Sequence, residues 1–260
     1  MIVQTKTDVM KIKQLISLYL LSIFHNRFVR SRFLILAGVT LPFAFACSDD
    51  NRIHTDPVEF KWTFNAGSEG WTGDFADYPV GEEETYQLYF GYDSLPLPLD
   101  DSQGALLLSG NNHNNNLFMF VKKRITVLKP NTVYYATFTI EIATNEPGNE
   151  LNAATVPGGQ IYIGAGATPV EPRKVVEESN LYGLNIGKCD ENKDGEDMVV
   201  MGNIVNDADE PVYTLKTITN EKPFHCVTNE KGELWIIVAV DSGVSTTTEV
   251  YYNSIQVNLF

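Results

Sequence analysis

Apolar and polar side chains alternate along Thr132-Val-Tyr-Tyr-Ala-Thr-Phe-Thr-Ile-Glu-Ile142, the stretch that decides the fold class. Its even-numbered positions from Tyr134 to Ile142 are apolar or aromatic, and most of its odd-numbered positions are polar. Successive side chains of a strand point to opposite faces of a sheet, so this period of two predicts a half-buried β-strand. The same period places Phe60, Trp62 and Phe64 on one face of another predicted strand.

Similar short segments recur through the rest of the chain, and turns rich in Gly, Pro, Asn and Asp separate them. No stretch carries the 3.6-residue apolar stripe of an amphipathic helix. The sequence therefore predicts an all-β protein with a single β-sandwich or jelly-roll domain over residues 58–260. The further predicted strands are Glu84–Phe90, Gly104–Ser109, Leu117–Val121, Gln160–Gly164, Tyr182–Ile186, Met198–Ile204, Val212–Ile218, Leu234–Val240 and Glu249–Leu259.

The first 46 residues differ from the rest in charge and hydropathy. They hold six Lys or Arg and one acid, Asp8, and basic Arg30 and Arg32 precede an apolar run over residues 33–46. A basic segment followed by an apolar one is typical of an export signal, so residues 1–46 are predicted to be a signal peptide. The remaining residues hold 13 basic and 32 acidic side chains, without a basic cluster that could neutralise phosphates, which argues against nucleic acid binding.

Cys47 follows directly on Ala44-Phe45-Ala46 and precedes Ser48-Asp49-Asp50. This junction resembles the lipobox of Gram-negative lipoproteins, in which the cysteine is acylated and becomes the first residue of the mature protein. The resemblance implies a lipid anchor at Cys47, a polar tether over residues 47–57 and an outer-membrane, cell-surface location. The alternative is a secreted protein that begins with a cysteine, because the same alanines fit ordinary signal peptidase.

Three segments of the domain resemble carbohydrate-binding-module-like, galactose-binding-like jelly rolls. They are Phe60-x-Trp-x-Phe-Asn-x-Gly-x-x-Gly-Trp71, Leu128-Lys-Pro-Asn-Thr-Val-Tyr134 and Val250-Tyr-Tyr-Asn-Ser-Ile-Gln-Val257. The resemblance implies that the last strand pairs with the first, and that the ligand is a carbohydrate.

Aromatic and acidic residues crowd the region from Trp71 to Tyr92. Sugar rings have apolar C–H faces that stack on exposed aromatic rings, and carboxylates accept hydrogen bonds from their hydroxyl groups. We expect Trp71, Tyr89 and Tyr92 to be exposed, although aromatic residues also fill the core of any sandwich. The predicted ligand-binding residues are Trp71, Asp74, Tyr78, Tyr89 and Tyr92.

Two further features suggest bound calcium and a disulfide. Asp190, Asn192 and Asp194 precede Gly195 as in the opening of a calcium loop, although Met201 stands where a bidentate Glu is expected. The alternative is a solvated acidic loop, and no other cofactor is predicted. Cys189 and Cys226 are predicted to pair in an oxidising compartment, and the alternative is two buried thiols.

The sequence contains no Gly-x-Ser-x-Gly motif and no recognisable pair of catalytic carboxylates. We therefore expect a lipid-anchored, non-catalytic binding protein with an oligosaccharide as its partner. One alternative is an adhesive surface lipoprotein that binds a protein partner, and another is a glycan hydrolase.

Overall fold

The computed structural model describes residues 57–149 and 151–260. The predicted signal peptide, Cys47 and the tether as far as residue 56 lie outside them. Within the described ranges, no helix is long and apolar enough to cross a membrane.

These two ranges are built almost entirely from β-strands. Short 3-10 turns occur at Ala153–Thr155 and Pro157–Gln160. The strands are β1 Val58–Trp62, β2 Thr72–Ala76, β3 Tyr78–Pro79, β4 Tyr89–Ser94, β5 Gly104–Asn111, β6 Leu117–Ile125, β7 Val133–Thr144, β8 Ile161–Thr168, β9 Lys174–Val176, β10 Leu181–Leu184, β11 Met198–Asn203, β12 Thr214–Thr219, β13 Phe224–Val227, β14 Leu234–Ser242 and β15 Thr247–Leu259.

Two antiparallel sheets pack face to face, which confirms the predicted all-β sandwich. The seven-stranded sheet has the order β12–β7–β15–β5–β4, with β13 also paired to β7 and β1 also paired to β15. The five-stranded sheet has the order β11–β8–β14–β6–β2. Val58 lies opposite Leu259, so the predicted pairing of the first and last strands is confirmed.

The core between the sheets follows from the alternation along each strand. Tyr134, Phe138 and Ile142 of β7 face inward and are buried, while Thr137 and Thr139 between them are half-buried on the outer face. Strands of the facing sheet contribute aliphatic side chains by the same alternation, and this burial of apolar surface is the main stabilising contribution to the fold.

The two outer faces differ, and the difference decides where a ligand can bind. A small three-stranded sheet, β3–β10–β9, and the loop after it contribute Leu184, Ile186 and Cys189 to a second apolar cluster. These side chains cover Phe118 and Phe120 on the outer face of the five-stranded sheet. On the outer face of the seven-stranded sheet, Leu95 and Leu99 pack over Leu107 and Tyr251. Much of the rest of this face remains at least partly accessible.

The predicted disulfide is wrong. Cys189 and Cys226 are both free and buried. Cys189 packs outside the five-stranded sheet, whereas Cys226 lies in the main core, where its Sγ donates to the carbonyl oxygen of Tyr134 at 3.6 Å. The five-stranded sheet therefore separates the two thiols.

Candidate functional site

Trp71 is buried, so its predicted exposure and its predicted contact with a ligand are wrong. Its side chain is only 2 % exposed, although the residues before it form an exposed turn. The indole packs edge-on against Trp62 at 5.2 Å and against Phe64 at 6.3 Å between ring centroids. The turn thus returns its aromatic side chain to the core, where the ring removes more apolar surface from water than it would at the rim.

Tyr78 and Asp74 help to hold the small sheet against the five-stranded sheet. Tyr78 is fully buried, and Lys174 of β9 donates a hydrogen bond to its hydroxyl at 2.9 Å. The same ammonium group lies 3.4 Å from the Asp74 carboxylate. The predicted ligand role of Tyr78 is therefore wrong, and Asp74 has an internal cation as its partner.

Tyr89 and Tyr92 are exposed as predicted, but they lie on opposite faces of β4. Their side chains are 48 % and 47 % exposed. Side chains three positions apart on a strand point in opposite directions, so one ligand cannot contact both on a single face. The hydroxyl of Tyr92 donates to the carbonyl oxygen of Asn65 at 3.1 Å, whereas Tyr89 faces outward from the seven-stranded sheet.

The ring of Tyr89 lies over Gly91 on this outer face. A Cβ atom added at Gly91 would overlap Cε1, Cζ and the hydroxyl of the phenol. The absent side chain is therefore what lets the ring lie against the sheet. One side of the ring is supported by the backbone, and the residue still exposes about half of its surface.

Strand register brings Glu249 and Tyr251 to the same face. Glu249 of β15 lies opposite Ser109 of β5, which in turn lies opposite Tyr89. In the neighbouring row, Tyr251 of β15 lies opposite Leu107 of β5, which in turn lies opposite Gly91, beneath the Tyr89 ring. The sequence analysis missed Glu249 and Tyr251, because only the strand order links positions so distant in the chain.

Tyr213 completes a group that we name the Tyr89 cluster: Tyr89, Tyr213, Glu249 and Tyr251. The hydroxyl of Tyr213 donates to Oε1 of Glu249 at 2.6 Å, and its ring meets that of Tyr251 edge-on at 5.7 Å. Burial and the neighbouring carboxylate raise the pKa of both phenols above the usual value. Both hydroxyls therefore stay protonated, and that of Tyr213 donates its hydrogen to Glu249.

Polar side chains continue along the outer face of the same sheet. Glu141 accepts hydrogen bonds from Asn253 at 2.6 Å and from the hydroxyl of Thr217 at 3.3 Å. The hydroxyls of Thr139 and Thr219 lie 3.1 Å apart. This part of the face therefore carries amide, hydroxyl and carboxylate groups.

A second group of exposed rings, the Tyr135 patch, lies toward the other end of β7. Tyr135 meets His225 at 5.7 Å and Phe260 at 6.3 Å between ring centroids. Val133 and Val227 pair beside them and are also exposed. The patch is more apolar than the Tyr89 cluster, and none of its five side chains is acidic.

The residues predicted to bind calcium form a tight turn instead. The backbones of Asp190 and Lys193 exchange two hydrogen bonds of 3.0 Å, and Oδ1 of Asp194 accepts the N–H of Val200 at 2.8 Å. Asp194 thus caps the free edge of β11, and Asn192 lies in the turn. In the described ranges, no group of three or more His, Cys, Asp or Glu side chains could hold a metal ion. The geometry therefore does not fit the predicted calcium site.

Two acids lie beneath this loop. Lys188 forms an ion pair with Asp77 at 2.8 Å, and Oδ2 of Asp241 accepts the N–H of Glu191 at 2.7 Å. Burial raises the pKa of both carboxyls, that of Asp241 to about 6. Asp241 is 1 % exposed, so these acids hold the loop to the sheet and do not form the open catalytic pair that a glycan hydrolase requires.

No protein-family model matches this chain, and no curated protein does either. A putative sugar binding protein from Bacteroides thetaiotaomicron is similar with 10 % identity and a TM-score of 0.40, over 75 % of this chain and 91 % of that one. A cleaved adhesin domain of Lys-gingipain from Porphyromonas gingivalis has 8 % identity and a TM-score of 0.36, over 77 % and 97 %. A xylan-binding domain from Paenibacillus barcinonensis has 10 % identity and a TM-score of 0.34, over 77 % and 92 %. Likeness of this degree assigns neither a ligand nor an activity to this chain.

Proposed function

We propose that this chain is a lipid-anchored, non-catalytic surface protein that binds an oligosaccharide through the Tyr89 cluster. The observation that carries the proposal is the Tyr89 ring, which lies over Gly91 with half of its surface exposed. A ring supported on one side offers its other face to a ligand, and little rotamer freedom remains to be lost on binding.

The groups around the ring suit the hydroxyls of a sugar. Glu249 already accepts the O–H of Tyr213, and its carboxylate oxygens and the phenol oxygen of Tyr213 can accept further hydrogen bonds from sugar hydroxyls. The C–H face of a pyranose would stack on Tyr89 while neighbouring hydroxyls reach the carboxylate. A flat, open contact of this kind gives weak binding, and several anchored copies on one cell surface would add avidity.

The test is titration calorimetry of the full chain in detergent, after a glycan array has selected a ligand. Tyr89→Ala should weaken binding about ten-fold, roughly 1.4 kcal/mol, because the stacking surface is lost. Tyr89→Phe should bind nearly as well, since it keeps the ring. Gly91→Ala should also weaken binding, because the new Cβ must displace the phenol.

Tyr92→Ala is the matched control, because it removes an equally exposed tyrosine from the opposite face of the same strand. If Tyr89→Ala and Tyr92→Ala reduce oligosaccharide affinity equally, binding depends on β4 as a whole and not on the face that carries Tyr89. An array without any bound glycan would contradict the proposal.

The Tyr135 patch favours a second candidate function, the binding of a protein partner. Exposed aromatic and aliphatic side chains that adjoin one another are typical of protein contact surfaces. Tyr135 and Phe260 supply the largest exposed rings of the patch. If a Tyr135→Ser variant loses adhesion to host or bacterial proteins while the array remains empty, this second function replaces the first.

A further inference from the structure

A depression of about 370 Å³ lies between β11, an edge strand of the five-stranded sheet, and the turn that joins β12 to β13. Its volume is within the range of small-molecule pockets, about 300–1,000 Å³. None of the residues of the Tyr89 cluster lines it. It is therefore a second candidate site on the domain.

One wall is fixed by the buried amide of Asn220. Its Oδ1 accepts the N–H of Phe138 at 2.7 Å, and its Nδ2 donates to the carbonyl oxygens of Ala136 at 3.2 Å and Lys222 at 2.7 Å. These bonds tie the turn to β7. The side chains of Glu221 and Lys222 therefore stand on a rigid base at the rim of the depression.

The other wall combines apolar and acidic groups. Val199 and Met201 line the depression and pack against the main core. Asp194 lies beside them, and its Oδ1 holds the N–H of Val200 at 2.8 Å. Because this acid caps the edge and a bulge follows Val200, an incoming peptide strand is disfavoured at β11.

The charged groups at the rim are available to a ligand. Glu221 and Lys222 are exposed, and within the described ranges neither side chain has a salt bridge or a hydrogen bond. Two acids and one ammonium group thus lie around the apolar side chains of Val199 and Met201. No aromatic side chain is among the lining residues, so the depression lacks the stacking surface that a sugar ring would use.

We propose that this depression binds a free α-amino acid with an aliphatic side chain. Lys222 receives the carboxylate of the ligand, Glu221 and Asp194 receive its ammonium group, and the aliphatic side chain contacts Val199 and Met201. Charge-assisted hydrogen bonds at both ends account for recognition of the zwitterion. This site is independent of oligosaccharide binding at the Tyr89 cluster.

The test is titration of the full chain in detergent with L-leucine, L-leucinamide and 4-methylpentanoate, followed by calorimetry and by NMR of the methionine methyl groups. Leucinamide lacks the carboxylate and 4-methylpentanoate lacks the ammonium group. Leucine should bind, and each analogue should bind about ten-fold or more weakly, the loss expected for one charge-assisted hydrogen bond. Glu221→Gln and Lys222→Met should each weaken leucine binding to a similar extent.

The chain offers a matched control in its second Asn-Glu-Lys turn, Asn229-Glu230-Lys231. Glu230→Gln and Lys231→Met should leave leucine binding unchanged, as should Tyr89→Ala. No binding of leucine at about 10 mM would overturn the proposal. Equal binding of leucine and both analogues, or binding that survives Glu221→Gln and Lys222→Met, would overturn it as well.

Discussion

Replacing Asp241 with asparagine should make the protein more stable at neutral pH. Asp241 is buried on the outer side of β14, and its Oδ2 accepts one hydrogen bond, from the N–H of Glu191 at 2.7 Å. Its Oδ1 has no hydrogen-bond partner within the described ranges. An ionised carboxylate in this position loses its free energy of hydration, and a single hydrogen bond compensates for only a small part of that loss. Asparagine keeps an oxygen that can accept the N–H of Glu191, and it carries no charge.

The size of the effect follows from the pKa of this carboxyl. Burial raises the pKa from 3.8 to about 6, although Lys188 acts against the shift. Because the folded state binds the proton more tightly, the ionised form costs about 3 kcal/mol of unfolding free energy once the pH exceeds 6. This cost in unfolding free energy vanishes when the pH lies below the pKa that Asp241 has in the unfolded chain. About 2 kcal/mol of it should develop between pH 4.5 and pH 7.5.

The assay is urea unfolding of the wild type and Asp241→Asn at several pH values across this range. The difference in unfolding free energy should shift in favour of the variant by about 2 kcal/mol as the pH rises. Asp101→Asn supplies the control, because it removes the same charge from an exposed position and so separates the effect of burial from that of net charge. If Asp241→Asn instead loses stability as the pH rises, the ionised carboxylate stabilises the fold through Lys188 and our reasoning fails.

Three further predictions concern the anchor, the thiols and the core. Cys47→Ala should move the protein from the membrane fraction to the soluble fraction, and a wild type that is already soluble and unmodified at its mature N-terminus would contradict the anchor. Cys189 and Cys226 should resist a maleimide in the folded protein, since burial raises the pKa of each thiol to about 12, and both should react in denaturant without reductant. Phe138→Ala should lower the unfolding free energy by about 3–5 kcal/mol, because a fully buried ring leaves a cavity, and urea unfolding would measure the loss.

The longest strands were predictable from the sequence because apolar residues alternate along them, without interruption in β7 and on either side of a bulge between Tyr252 and Ser254 in β15. The segment 132–142 corresponds to β7 at Val133–Thr144, and Glu249–Leu259 falls within β15. The predicted strand Glu84–Phe90 is largely wrong, since β4 is Tyr89–Ser94. Its apolar residues do alternate, but the chain turns at Gln87, which has a positive φ of 47°. Local turn geometry therefore overrides the pattern there.

The candidate site was predictable only in part. The concentration of aromatic residues identified Tyr89, although this residue begins β4 and does not lie near the end of a strand Glu84–Phe90, as predicted. It also included Trp71, since a turn between glycines indicates exposure of the backbone and leaves the direction of the side chain open. Glu249 and Tyr213 could not be assigned to the site, because their proximity depends on which strands are neighbours in the sheet and in what register.

The pairing of β1 with β15 also determines how the domain would carry a mechanical load. The chain enters the domain at Val58, opposite Leu259, whereas Glu249 lies at the other end of the same strand. At the usual rise of a strand, the two ends are about 34 Å apart. A ligand held at the Tyr89 cluster and pulled away from Val58 would therefore stretch β15 along its length. The backbone hydrogen bonds of β15 to β1, β5 and β7 would then be sheared together and would not be opened one after another.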